Sequence, residues 1–171
     1  MLGGNGRVEH IVSLPIMLYW KKEKTVIEVV WMYQVNTEKI EQHLVYMEQV
    51  LESVSPILRN SEANDMLTSL SLQRALHIAL ETVADVGNYL IDGFIMRDPG
   101  SYEDIVEIML DETVITAEIA VALKEVVNMR KPLITDYLDV RDDAVSKLLN
   151  THYAKLVAFP NQVREYLKKE L

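Results

Sequence analysis

One stretch constrains this chain more than any other. Between Leu72 and Asp98, the residues Leu72, Leu76, Ala79, Val83, Val86, Leu90 and Phe94 recur every three or four positions. That spacing draws an apolar stripe along one side of a helix of about seven turns. Arg74, His77, Glu81, Asp85, Asn88 and Asp92 keep the same spacing and are polar throughout. A helix this long spans a whole domain, so its apolar stripe must face a core. Its polar stripe must face either solvent or a site. Asp85 and Asn88 lie next to Val83 and Val86, so one or both should be partly buried. A partly buried carboxylate needs a cationic partner, and Arg130 is the expected one.

The rest of the chain reads as helix as well. Asn36 or Thr37 can cap a first helix with Glu38 and Glu41 near its start. Ile40, Leu44, Met47, Leu51, Val54 and Leu58 then form its apolar side, and Pro56 is expected to end or kink it at about Ser55. Asn60–Asn64 reads as a polar turn. Arg97-Asp98-Pro99-Gly100 should stop the long helix, and Ser101 with Asp104 resembles a capping box that opens a short helix through Leu110. Thr116 is expected to cap a fourth helix, kinked by Pro132, and a fifth helical region follows Asp142, with a last amphipathic segment after Pro160. The predicted fold is all-α, an up-and-down helical bundle of about five helices.

Composition narrows the function. In 171 residues with 49% apolar content, one domain can bury a full core. The absence of cysteine excludes disulfides, thiolate nucleophiles and cysteine-ligated metals, and nothing points to secretion. The net charge of −9 argues against a broad nucleic-acid surface while leaving room for a local basic cleft. The eight methionines suit adaptable packing rather than chemistry.

Residues 1–31 differ from the rest. Three of the six glycines fall in the first six positions, and two short apolar runs follow, Ile11–Trp20 and Thr25–Trp31. Neither approaches the roughly 20 residues that cross a bilayer, and no cleavage site marks a signal peptide. Thr25–Val30 has the β-branched content of a strand with no partner. The reading is that 1–31 is a non-native or disordered extension, that Met32 is the natural start, and that 32–171 is the domain. Glu28-Val29-Val30 can be written with codons resembling a ribosome-binding site.

The four histidines, His10, His43, His77 and His152, show no metal-ligand spacing. His77, Glu81 and Asp85 form a row that a second carboxylate-bearing helix would have to complete, and the second Glu-x-x-His helix of a di-iron bundle is missing. No metal or other cofactor is expected. Arg130 and Tyr137 stand seven residues apart, so a continuous helix would project both from one face.

The run from Leu72 through Glu81, Asp85 and Asn88 to Tyr102, together with Arg130 and Tyr137, resembles the HepT-like branch of the HEPN superfamily, near its YutE-type subgroup. The similarity begins at Met32-Tyr33-Gln34-Val35 and runs to Leu171. It implies an all-α homodimer in the cytoplasm. Active members are metal-independent endoribonuclease toxins with Arg, four residues, His, one residue and Tyr at the dimer cleft. There the His moves a proton and the Arg stabilises charge on the phosphorane. The implied partners are RNA and a minimal nucleotidyltransferase (MNT) antitoxin that adenylylates the motif Tyr. Arg130 matches the Arg and Tyr137 the Tyr, but Thr135 occupies the His position and cannot titrate near neutral pH. Lys131 replaces the usual Asn. Glu81 and Asp85 stand where the superfamily often carries an acid near the cleft.

Three readings follow: a toxin homologue that still cuts RNA, using His77 or His152 from another helix; a catalytically silent dimer that binds a nucleotidyltransferase or a nucleotide-type ligand; and a structural helical dimer. An Arg130–acid pair suits the first two, but it can also be a buried ion pair joining the second helix to the fourth. The start site is checked separately by the intact mass of the protein from its native host. A species starting at Met32 is expected, and one starting at Met1 overturns that reading.

Overall fold

The structure, a computed structural model, describes residues 35–59 and 65–171. The strand expected at Thr25–Val30, the extension 1–31 and the turn Asn60–Asn64 lie outside the described residues. Within them the helices are α1 (Thr37–Arg59), α2 (Met66–Phe94), α3 (Tyr102–Asp111), α4 (Ala117–Val127), the single turn α5 (Arg130–Ile134) and α6 (Asp142–Glu170). No strand occurs among the described residues. The architecture is the expected all-helical bundle, with five main helices and one short turn.

The starts of α1, α2 and α3 have local causes. Asn36 Oδ1 accepts the Lys39 N–H of α1 at 3.0 Å. Asp65 accepts both the N–H and the hydroxyl of Thr68, at 2.9 and 3.0 Å, which starts α2 one and a half turns or so before Leu72. Those two bonds also hold the Asp65 carboxyl below its usual range. Ser101 caps α3 by accepting from Asp104 N–H at 3.1 Å. Thr116 stands at the N-cap of α4 without making a side-chain cap, and instead its N–H donates to Gln162 Oε1 at 3.0 Å.

The stripe of α2 goes where its spacing sends it. Leu72, Leu76, Ala79, Val83, Val86 and Leu90 are buried, and Phe94 is partly covered. Burying each large apolar side chain stabilises the fold by about 1.5–3 kcal/mol. Every other helix touches α2. On the far side of the bundle, Arg164 of α6 grips both Glu41 and Glu48 of α1, donating at 2.6–3.2 Å. The Arg164 guanidinium keeps Glu48 ionised to lower pH than an ordinary glutamate.

The prolines behave differently from expectation. α1 runs through Pro56 to Arg59, because Pro56 lies in its last turn while Val54, Ile57 and Leu58 still pack on the core. Likewise α6 is continuous through Pro160, which is itself buried between Phe159 and Val163, so core packing outweighs the missing N–H. By contrast, α2 stops about a turn before Asp98. Ile95 takes a left-handed conformation (φ 55°), and Met96 N–H closes on Ile91 O at 2.9 Å.

Gly87 sets how closely α3 lies on α2, since a Cβ there would come within 2.2 Å of Ile105 Cγ2. Gly87→Ala should therefore destabilise the protein by about 1–3 kcal/mol, through displacement of α3. Urea unfolding monitored by circular dichroism checks this, and an unchanged midpoint would contradict it.

Candidate functional site

The polar stripe of α2 builds a site around one carboxylate. Arg130 Nε donates to Glu81 Oε1 at 3.0 Å, and its guanidinium lies over the Tyr102 ring, 4.5 Å from the centroid. The Tyr102 hydroxyl donates to Glu81 Oε2 at 3.5 Å. On the other side, His77 Nε2 stands 3.6 Å from the same Oε1, and Arg74 Nη1 lies 3.0 Å from His77 Nδ1. A guanidinium can only donate, so Nδ1 is the acceptor, and the neutral ring carries its proton on Nε2, toward Glu81.

Three elements deliver these groups. Arg74, His77 and Glu81 share one face of α2 through steps of three and four residues. Tyr102 is the first residue of α3, held there by the turn before it. Arg97 donates to both oxygens of Asp104 at 2.9 and 2.6 Å, and Gly100 N–H donates to Oδ2 at 2.7 Å. Arg130 arrives by a break in the chain. The Pro132 ring conflicts with the carbonyl of Asn128, four residues back, so α4 stops at Val127 and turns at Asn128–Met129. Restarting at Arg130 puts Pro132 in the first turn of α5, where no N–H is needed.

This break corrects two expectations. α5 ends at Ile134, so Tyr137 lies in the following turn, 64% exposed, and does not share a helix face with Arg130. The Arg130–acid contact joins α2 to α5 rather than to the fourth helix, and it is not buried: the side chains of Arg130 and Glu81 are 42% and 30% exposed. Such a pair contributes about 0.2–1 kcal/mol. That is too little to lock two helices.

Thr135 does come near Arg130. Both line a groove of about 340 Å³ together with Tyr102, Lys131 and Asn128. Thr135 is exposed, and Lys131 leans to Asp136 at 3.6 Å. Asp85 meets His43 at 3.4 Å rather than Arg130, because it sits one turn beyond Glu81 and faces α1. The His43 ring is held by Lys39 O at 2.7 Å and packs edge-on against Tyr89. Asn88 is exposed. His152 is buried against Glu125 at 2.8 Å, away from this cluster. Among the described residues no three or more His, Asp and Glu converge as a metal site, and no helix is long and apolar enough to cross a membrane. Tyr102 had no periodic signal as a site residue, since in sequence it is only the residue after a helix cap.

The chain and its fold are similar to known proteins. Residues 38–163 match the family model described as Ribonuclease HepT-like. The Bacillus subtilis (strain 168) protein named "Putative RNase YutE" is 39% identical over 140 residues, covering 82% of this chain and 95% of that protein. The structure of YutE from Bacillus subtilis, a cytosolic protein of unknown function, superposes with a TM-score of 0.76 at 38% identity, covering 82% of this chain and 96% of that one. A tri-AMPylated Shewanella oneidensis HEPN toxin, solved with its MNT antitoxin, shares the fold at 20% identity, with a TM-score of 0.57 over 74% of this chain and 91% of that one.

The turn that places Tyr102 has its own pH dependence. The Arg97 guanidinium and the Gly100 N–H lower the Asp104 carboxyl from 3.8 to about 2. A carboxylate with a depressed native pKa stabilises the fold above its unfolded pKa, and that contribution is lost as pH falls toward the native value. The stability difference between the parent and Asp104→Asn should therefore be constant above about pH 5 and shrink between about pH 4 and pH 2. Urea midpoints of the two proteins across that range measure it.

Proposed function

The chain belongs to the Ribonuclease HepT-like family, and from that premise we propose that it is a cytoplasmic homodimer homologous to the endoribonuclease toxins of HepT/MNT pairs, with RNA entering the groove at Arg130. The observation that carries this reading is Arg130 itself. Glu81 and Tyr102 orient its guanidinium at the wall of a solvent-open groove, where it can meet a phosphate. A guanidinium so placed stabilises the charge that gathers on phosphorus as the 2′-oxygen attacks. Lys131 lines the same groove beside Arg130, while Glu103 on its wall and Asp136 against Lys131 offset part of that charge, so a phosphate contact there is local to the Arg130 guanidinium. The exposed side chains of Ile134, Tyr137 and Leu138, with Leu138 85% exposed, support a second copy at this end of the domain. The exposed Tyr137 hydroxyl is the group an MNT partner would adenylylate.

A second reading has its own support. Thr135, in the motif His position, is an exposed hydroxyl with no titrating capacity near neutral pH. A dimer that keeps Arg130 and lacks acid–base chemistry would be a binding module for a nucleotidyltransferase or a nucleotide-type ligand.

The test is cleavage of mixed RNA in EDTA by the full chain, beside Arg130→Ala and Thr135→His. The parent should cut, and Arg130→Ala should cut at least about 10²-fold more slowly. A silent parent with activity gained in Thr135→His would mean a preserved cleft that lost only its imidazole. Silence in all three would move the assignment to the binding module.

A further inference from the structure

We infer that His77, which has no counterpart in the motif around Arg130, is the proton-transfer group of this site, with Glu81 orienting it and Arg74 covering its reactive nitrogen until a phosphate arrives. The inference rests on the ribonuclease reading above and supplies the group that reading lacks.

Two imidazoles other than His77 are described, and both are committed elsewhere. His43 faces Asp85 and the α1 backbone, and His152 is buried against Glu125. His77 alone shares a partner with Arg130: one oxygen of Glu81 separates its Nε2 from the guanidinium. The Arg74 bond to Nδ1 leaves the ring's proton on Nε2, where the Glu81 carboxylate 3.6 Å away favours it electrostatically, so Nδ1 is the nitrogen left to act as a base. That other nitrogen, Nδ1, faces Arg74, whose side chain is exposed and has no other partner among the described residues. A phosphate oxygen binds a guanidinium more strongly than a neutral imidazole does. An RNA phosphate therefore draws Arg74 away and uncovers Nδ1 at the moment the substrate is in place.

The chemistry then balances without a metal or any co-reactant but water. As the 2′-oxygen attacks phosphorus, its proton passes to His77 Nδ1. The bond from phosphorus to the 5′-oxygen breaks, and that oxygen takes a proton from water. The products are a 2′,3′-cyclic phosphate and a 5′-hydroxyl end, and His77 returns its proton to solvent. Arg74 and Glu81 on its own helix stand against the ring, and Arg130 from α5 and Tyr102 from α3 reach the same Glu81 carboxylate.

The experiment compares full-length parent, His77→Gln, His77→Ala, Arg74→Ala and Arg130→Ala on RNA in EDTA, with folding checked by circular dichroism. His77→Gln should lose at least about 10²-fold in kcat and lose the acid limb of the parent's pH profile. Added imidazole should restore part of the rate in His77→Ala, and Arg74→Ala should raise KM more than it lowers kcat. If Arg130→Ala abolishes cleavage while His77→Gln keeps both its rate and its acid limb, the His77 assignment is wrong and the ribonuclease reading stands. A parent that leaves RNA intact overturns both. Nitrogen NMR of the free protein gives a second check: a ring carrying its proton on Nδ1 would contradict the role assigned to that nitrogen.

Discussion

The structure depends on one helix having to satisfy two solvents. α2 buries Leu76, Leu80, Val83, Val86 and Leu90 completely, and it contacts every other helix. Its opposite edge carries Arg74, His77, Glu81 and Asp85 at the same helical spacing. A helix cannot turn one face inward without fixing the direction of the other. Packing the core therefore aims a row of charged groups at whatever lies beside it, and the neighbours of each turn decide what that row becomes.

At Glu81 the neighbours are Arg130 and Tyr102, and each is there because the chain departs from a regular helix. Pro132 ends α4 early and restarts the chain at Arg130. The left-handed Ile95 and the Arg97–Asp104 clamp turn the chain so that α3 opens on Tyr102. The groups that make the site are thus supplied by breaks in helices, while the long helix supplies the fixed frame. One turn further along α2, Asp85 meets no such break and pairs with His43 of α1 instead.

The ion pairs differ in how many bonds they make rather than in their exposure. Arg164 between Glu41 and Glu48 fastens α6 to α1 with several bonds to two carboxylates. The Arg130–Glu81 pair is single, half-open to water and weak in stability terms. A cation held in a chosen orientation at little cost to the fold is suited to meeting an anion. That distinction separates a charge that supports the bundle from one available for chemistry.

The helices and the core were legible in the sequence, because the 3.6-residue period is a local property and the apolar stripe of α2 has only one way to be buried. Asn36, Asp65 and Ser101 act as caps through atoms within three residues of themselves. From sequence Ser101 reads as a cap and Asn36 as one of two candidates, while Asp65, just after the polar turn Asn60–Asn64, carries no cap reading. The motif positions Arg130, Thr135 and Tyr137 were equally readable as residue types. What they touch was not. Whether Arg130 pairs with Glu81 or Asp85 depends on the rotation of α2 against α5. Whether a proline stops a helix depends on how much core the helix still buries, as Pro56 and Pro160 show against Pro132. The meeting of His77, Glu81, Tyr102 and Arg130 brings together positions up to 53 residues apart, and only tertiary packing, where buried area outweighs local preference, decides such a meeting.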